Sequence, residues 1–164
     1  MLYLVDADVL ITAKNKYYAF DRVPEFWAWL VHVARQGSAK IPFEIYKEIT
    51  DGNDALAGWA KEKATKEALL LDEEIDQKTV AYDLEHGYAP DLNDVEIEKI
   101  GHDPFLIAYA LAVDGRCVVT LEGSRPKASR ANRKIPDVCK GFGVACIDTF
   151  AFLNTLNFTT SWRS

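Results

Sequence analysis

The chain has 164 residues, 49% of them hydrophobic and 27% charged, which places it among single folded domains and excludes a disordered or fibrous chain. Its 25 acidic and 19 basic residues leave a net charge of -6 and a pI near 5.1, which excludes the broad basic face that binds nucleic acid indiscriminately. The three cysteines, Cys117, Cys139 and Cys146, form no CxxC pair, so neither a disulfide framework nor a zinc site is expected.

The opening MLYLVDADVL carries an acidic pair after five residues, which predicts neither a signal peptide nor a membrane span and hence a cytoplasmic chain. Residues 2–5 read as a strand buried on both faces, ended by Asp6. Val9, Leu10 and Ala13 then fall at helical spacing. From Pro24 to Gln36 the positions Phe26, Trp27, Leu30, Val31 and Ala34 mark one helical face, with Pro24 suited to the first turn and Gly37 to the stop. Residues 39–41 predict a short strand, and Pro42 opens a helix holding Phe43, Ile45, Tyr46 and Ile49. The breakers Asp51, Gly52 and Asn53 end it. Residues 54–66 and 73–86 have helical composition, and residues 69–71 between them suit a strand or a turn.

Residues 92–100 predict a short acidic helix and residues 105–112 an apolar one, closed by Gly115. Residues 117–120 are a strand, 123–134 a basic loop, 135–142 a helix, 144–147 a strand and 149–157 a helix. Strands separated by helices predict parallel pairing through right-handed crossovers, hence an α/β chain with a three-layer α/β/α architecture. In such sheets ligands gather beyond the carboxyl ends of the strands, so the residues directly after strands are the first to consider.

Asp6 follows the first strand, Asp103 starts the helix before the next central strand, and Glu122 lies just past Thr120. Glu44 and Glu48, four apart on one helix, add a further acid. Carboxylates that converge without basic partners raise one another's pKa unless a cation neutralises them, and an all-oxygen donor set suits Mg²⁺ or Mn²⁺ better than zinc. Each acid also has a structural role open to it. Asp103 before Pro104 suits an N-cap, and Glu44 suits the positive end of its helix, while Glu48 and Glu122 suit solvated positions. Asp6, directly after a buried strand, is the hardest to explain structurally.

The blocks YLVDADVLI, IPFEIYKEI, DPFLIAYALA and VVTLE, followed by RKIPDVCKGFGVACID, resemble in order and character the PIN-domain proteins, and the resemblance spans nearly the whole chain. It implies a PIN-like domain over residues 1–164 with a central parallel sheet. The implied activity is that of a metal-dependent ribonuclease, often the toxin of a prokaryotic toxin–antitoxin pair, with four acids holding Mg²⁺ or Mn²⁺. Carried over, these acids are Asp6 after the first strand, Glu48 closing the IPxxxxxE pattern, Asp103 opening the apolar helix, and Glu122 after the VVT strand. Asp8 stands where the family commonly has Asn or Ser, and is a fifth ligand or a helix cap. Glu122 is one methylene longer than the Asp common at that place. Thr120 orients a metal-bound water or simply ends its strand. The partners implied are an RNA substrate, an antitoxin protein and a second copy of the chain.

Residues 124–134 hold Arg125, Lys127, Arg130, Arg133 and Lys134 and no acid, a basic loop directly after Glu122 that suits phosphate contact. Residues 72–103 form the opposite pole, with eleven acids against Lys78 and Lys99. His32, His86 and His102 lack a partner motif, although His102 adjoins Asp103. Trp27, Trp29 and Trp59 suit core positions, and Trp162 a partner contact or a frayed end. Two alternatives to the nuclease remain. Asp6-Ala-Asp8 also matches the opening of haloacid-dehalogenase-like phosphatases, with Asp6 as nucleophile and Asp8 as general acid; no downstream strand ends in paired aspartates. A degenerate PIN fold acting as a binding module is the non-enzymatic alternative.

Overall fold

Four strands, β1 (Leu2–Val5), β2 (Ala39–Lys40), β3 (Arg116–Val119) and β4 (Ala145–Ile147), are parallel throughout and lie in the order β2-β1-β3-β4. They are seen in a computed structural model that describes residues 1–163. β1 and β3 are central, and their apolar runs are buried, with Leu4, Val5, Val118 and Val119 fully enclosed. The helices are α1 (Ala7–Thr12), α2 (Pro24–Arg35), α3 (Phe43–Thr50), α4 (Ala55–Lys61), α5 (Lys63–Leu69), α6 (Gln77–Asp83), α7 (Asp94–Ile100), α8 (Asp103–Ala112), α9 (Ile135–Phe142) and α10 (Thr149–Thr155). They cover both faces of the sheet in a three-layer α/β/α arrangement, as parallel crossovers require. On one face Tyr3 packs edge-on against Phe152 of α10, which meets Trp29 of α2; α8 and α9 pack beside β3 and β4. Among the described residues no helix is long and apolar enough to cross a membrane.

Pro24 begins α2 and Gly37, at φ +78°, follows its end, where only glycine adopts the left-handed conformation without strain. Its buried arc is wider than the apolar spacing predicts. Trp29 and Val33 are buried with Phe26, Trp27, Leu30 and Ala34, while Val31 is only half-buried, because Trp27 stacks on Phe20 and meets Trp59 while Trp29 turns to the sheet side.

Two other segments depart from the sequence reading. Residues 54–66 are not one helix: Glu62, extended at φ -59° and ψ 132°, closes α4 and opens α5. The helix expected from residue 73 begins at Gln77, capped by Asp76. The chain before it lies beside β2, with Ile41 N–H donating to Leu69 O at 2.7 Å and Leu71 N–H donating to Ile41 O at 2.9 Å. Glu73 is drawn there into a two-toothed pair with buried Arg116 at 2.6–2.7 Å. At their ends α1 and α6 each widen into a π-helical turn, Ala13–Tyr17 and Leu84–Tyr88.

Candidate carboxylate site

β1 lies where the strand order reverses, since the chain leaves it toward β2 and later returns to its other side as β3. The crevice beyond the carboxyl ends of β1 and β3 is therefore the switch point of the sheet. Asp6 and Thr120 flank it. Asp6 N–H donates to Val119 O at 3.0 Å, and the Thr120 hydroxyl donates to Asp6 Oδ2 at 2.9 Å while accepting from Glu122 N–H at 3.2 Å. Thr120 is only 1% exposed. Its hydroxyl thus fixes two acids at once, a positioning role more specific than that of a strand former.

Asp103 enters from the first turn of α8, preceded by Gly101 at φ +63° and followed by Pro104. Asp8 stands exposed in the first turn of α1. Glu48 leans toward His102, with Oε2 3.4 Å from Nδ1. Glu122 accepts from Lys134 Nζ at 2.7 Å and from Ile135 N–H at 2.8 Å, so the start of α9 holds it. Glu44 points away from this group, into a cavity of about 550 Å³ shared with Tyr109 and residues 70–75. The structure therefore separates the two glutamates of α3 that share a helix face in sequence.

The acids feel one another. Burial pushes the Asp6 carboxyl up to about 7, with Asp8 and Glu48 adding to the rise and the Thr120 hydrogen bond opposing it. Burial likewise pushes Asp103 up to about 8, with Asp6 and Glu122 adding to it and Lys134 opposing it. Raised carboxyls at the carboxyl ends of the strands are more easily ionised when positive charge is brought to them. The donor chemistry, carboxylate oxygens only, fits a hard divalent cation such as Mg²⁺ or Mn²⁺. In their present rotamers Glu48 and Glu122 face His102 and Lys134, and among the described residues no three His, Cys, Asp or Glu side chains stand close enough to ligate one ion.

A family model described as a domain of unknown function, DUF4411, matches residues 3–160. The chain belongs to this family. No curated protein and no solved structure matches it.

In this DUF4411 chain three of the five basic side chains of the loop are occupied by the protein's own groups. Arg130 forks onto Glu96 of α7 at 2.7–2.8 Å and reaches Asp91 at 2.6 Å. Arg133 donates to Gly87 O and Asp137 O, and Lys134 is the partner of Glu122. Arg125 and Lys127 are the two basic side chains of the loop with no hydrogen-bonded partner among the described residues. Trp162 does not dangle: its Nε1 donates to Glu25 O at 3.1 Å and its ring lies on His32. His86 stacks on Tyr82, away from the acids. Cys117 and Cys139 are buried and Cys146 is half-buried, all as free thiols.

Two buried polar residues apart from these acids carry no sequence signal. Asp83 of α6 is completely buried with both carboxylate oxygens unpartnered, and burial pushes it up to about 8 against the opposing charge of Arg133. Tyr88, in the π-helical turn, is 7% exposed with an unpartnered hydroxyl. The helical composition of residues 73–86 gives Asp83 no mark of its own, and Tyr88 follows in a π-helical turn that packs against α9.

Proposed function

We propose that this chain is a Mg²⁺- or Mn²⁺-dependent ribonuclease of the PIN type, acting in the cytoplasm on RNA, with an antitoxin protein as the partner that would restrain it. The carrying observation is the pair Asp6, buried, and Asp103, half-buried, at the switch point of a parallel sheet, with burial pushing the first up to about 7 and the second up to about 8. A divalent cation there would supply charge neutralisation and a deprotonated water at neutral pH. Asp6 and Asp103 would hold it, with Asp8, Glu48 and Glu122 completing the set after Glu48 leaves His102 and Glu122 leaves Lys134. Thr120 keeps Asp6 in one rotamer. Lys134, once released from Glu122, is placed to meet a phosphate oxygen of the scissile phosphodiester, and Arg125 and Lys127 extend that contact along the strand. Hydrolysis then adds water across one P–O bond and leaves a phosphate monoester and a hydroxyl.

The test is cleavage of single-stranded RNA by purified protein with Mg²⁺ or Mn²⁺, against the same mixture in EDTA. Wild type cleaves only with metal, and Asp6→Asn and Asp103→Asn lose more activity than the ~10–100-fold that outer-shell partners typically carry. Absence of cleavage with either metal, or variants as active as wild type, overturns the reading.

One observation favours a second reading, a metal-free binding module on the same fold: Lys134 already neutralises Glu122 as a cation would. A module of that kind shows no rise in melting temperature on adding millimolar Mn²⁺, whereas a resident site must show one.

A further inference from the structure

The sheet has an open edge beyond β2. Leu70 forms a parallel bridge with Ile41 there, and Leu71 N–H donates to Ile41 O at 2.9 Å. The chain then runs on outside any helix or strand until α6 begins at Gln77. Among the described residues the backbone N–H groups of Asp72, Glu73, Glu74 and Ile75 donate to no other backbone group. Unpaired backbone at a sheet edge is a template on which a further strand can add. This edge is also held in one shape. The Glu73 carboxylate grips buried Arg116 at 2.6–2.7 Å, and Tyr109, only 2% exposed, donates its hydroxyl to Glu73 O at 3.0 Å. A preorganised edge loses little freedom when a partner arrives.

Along the edge lies the cavity of about 550 Å³ that Glu44 enters, apolar at Phe43, Leu71 and Ile75 and acidic at Glu44, Asp72 and Glu74. Glu73 has Arg116 for a partner, whereas none of these three acids forms an ion pair among the described residues. Glu44 Oε2 is buried without a hydrogen bond, a state that native proteins rarely leave unanswered. Phe43 beside it is 53% exposed. Past Phe43 and Leu70 a second cavity, of about 320 Å³, is lined by Lys47, Lys61 and Lys66, so the acidic stretch ends there. Acids on an open edge deter a second copy of that edge, which would bring the same charge. They attract a strand of the opposite charge.

We propose that this edge docks an extended basic segment of a partner protein, which adds beside residues 72–75 through its backbone and places an arginine or lysine side chain in the cavity. The apolar stem of that side chain lies against Phe43 and Ile75 while its charged head meets Glu44 Oε2. Three unpaired carboxylates repel phosphates, which makes the occupant a peptide and not RNA. Neither Asp6 nor Asp103 lines this cavity, so docking here is independent of any metal at the carboxylate site.

The probe is a fluorescent peptide that alternates arginine with valine, titrated by anisotropy into the full-length protein. Glutamine in place of arginine in the peptide should weaken binding about 10-fold or more, at about threefold for each exposed ion pair lost. The variant carrying Glu44→Gln, Asp72→Asn and Glu74→Gln, whose changes lie off the core, should weaken it to a similar extent at an unchanged or higher melting temperature. Amide hydrogen exchange at residues 71–75 should slow when the arginine peptide is bound. Equal binding of the glutamine peptide, or binding with no slowing at residues 71–75, overturns the proposal. Displacement of the peptide by spermidine at equal concentration of positive charge overturns it too, since that result shows an unspecific counterion patch in place of a strand site.

Discussion

Asp6 and Asp103 are carboxyls whose ionisation the fold resists, and this has a direct thermodynamic consequence. Their native pKa values, about 7 and about 8, lie above the ordinary 3.8, so the native state binds more protons than the unfolded chain between those limits. Stability is then full below about pH 4 and falls as pH rises through about 7–8. Asp83, raised to about 8, acts in the same direction. Groups with lowered values act elsewhere: Glu96 is held at about 2 by its Arg130 and Asn93 partners, and Asp54 is lowered by Lys14, so their contributions are complete by about pH 5. Since a tenfold change in acidity corresponds to about 1.4 kcal/mol, the raised carboxyls cost the metal-free protein several kcal/mol at high pH. The melting temperature in EDTA is expected to fall by roughly 5–10 °C between about pH 5 and about pH 9. Asp6→Asn, Asp103→Asn and Asp83→Asn should each reduce that fall, since each removes an ionisation. Mn²⁺ should stabilise wild type most at the upper end, and the Asp83→Asn protein as strongly as wild type. A pH-independent melting temperature would show that the carboxyls are solvated rather than held as the geometry indicates.

At the level of elements, the most constrained piece is the π-helical turn between α6 and α7. Gly87→Ala would set its new methyl against Val138 and Phe142 of α9 as well as against Asp83, and overpacking of this kind costs about 1–3 kcal/mol. Chemical denaturation should therefore show a lowered midpoint, while Ala at the exposed Gly58 position of α4 (Gly58→Ala), where nothing lies within 4 Å of the added carbon, should be neutral or stabilising. The comparison with sequence is instructive here. The chain order of strands and helices was legible because each central strand is a short apolar run and each long helix has a proline or a glycine at its boundary, as Pro24 and Gly37 do for α2. What escaped was non-local or irregular. Glu62 shows no breaker chemistry, yet it divides α4 from α5. Residues 73–76 look helical by composition and instead precede the helix, with Glu73 paired to Arg116 forty-three positions away. Tyr88 is placed by a π-helical turn, for which no residue pattern exists.

Taken as a whole, the molecule's acidic balance is an average over pairs that cancel locally. Arg130 of the basic loop is spent on Asp91 and Glu96, which belong to the acidic segment 72–103, and Lys134 on Glu122. The charge runs were visible in the sequence; which members neutralise each other was not, because the partners are 12 to 39 residues apart. Of the five basic side chains of the loop, Arg125 and Lys127 are therefore the two left to make the phosphate contact that the proposed function requires. A footprint this small predicts weak, local RNA binding with a shallow salt dependence. Each phosphate contact on a single strand contributes about 0.7 to the slope of log affinity against log salt. Arg125→Ala with Lys127→Ala should then lower the slope for single-stranded RNA by about 1.4, measured in EDTA so that no strand is cut. Arg130→Ala should leave the slope nearly unchanged and lower the melting temperature instead, since it releases Asp91 and Glu96 from their shared partner. An unchanged slope in the double variant, or a large change in the Arg130 variant, would place the RNA path on a different face from the one beyond Glu122.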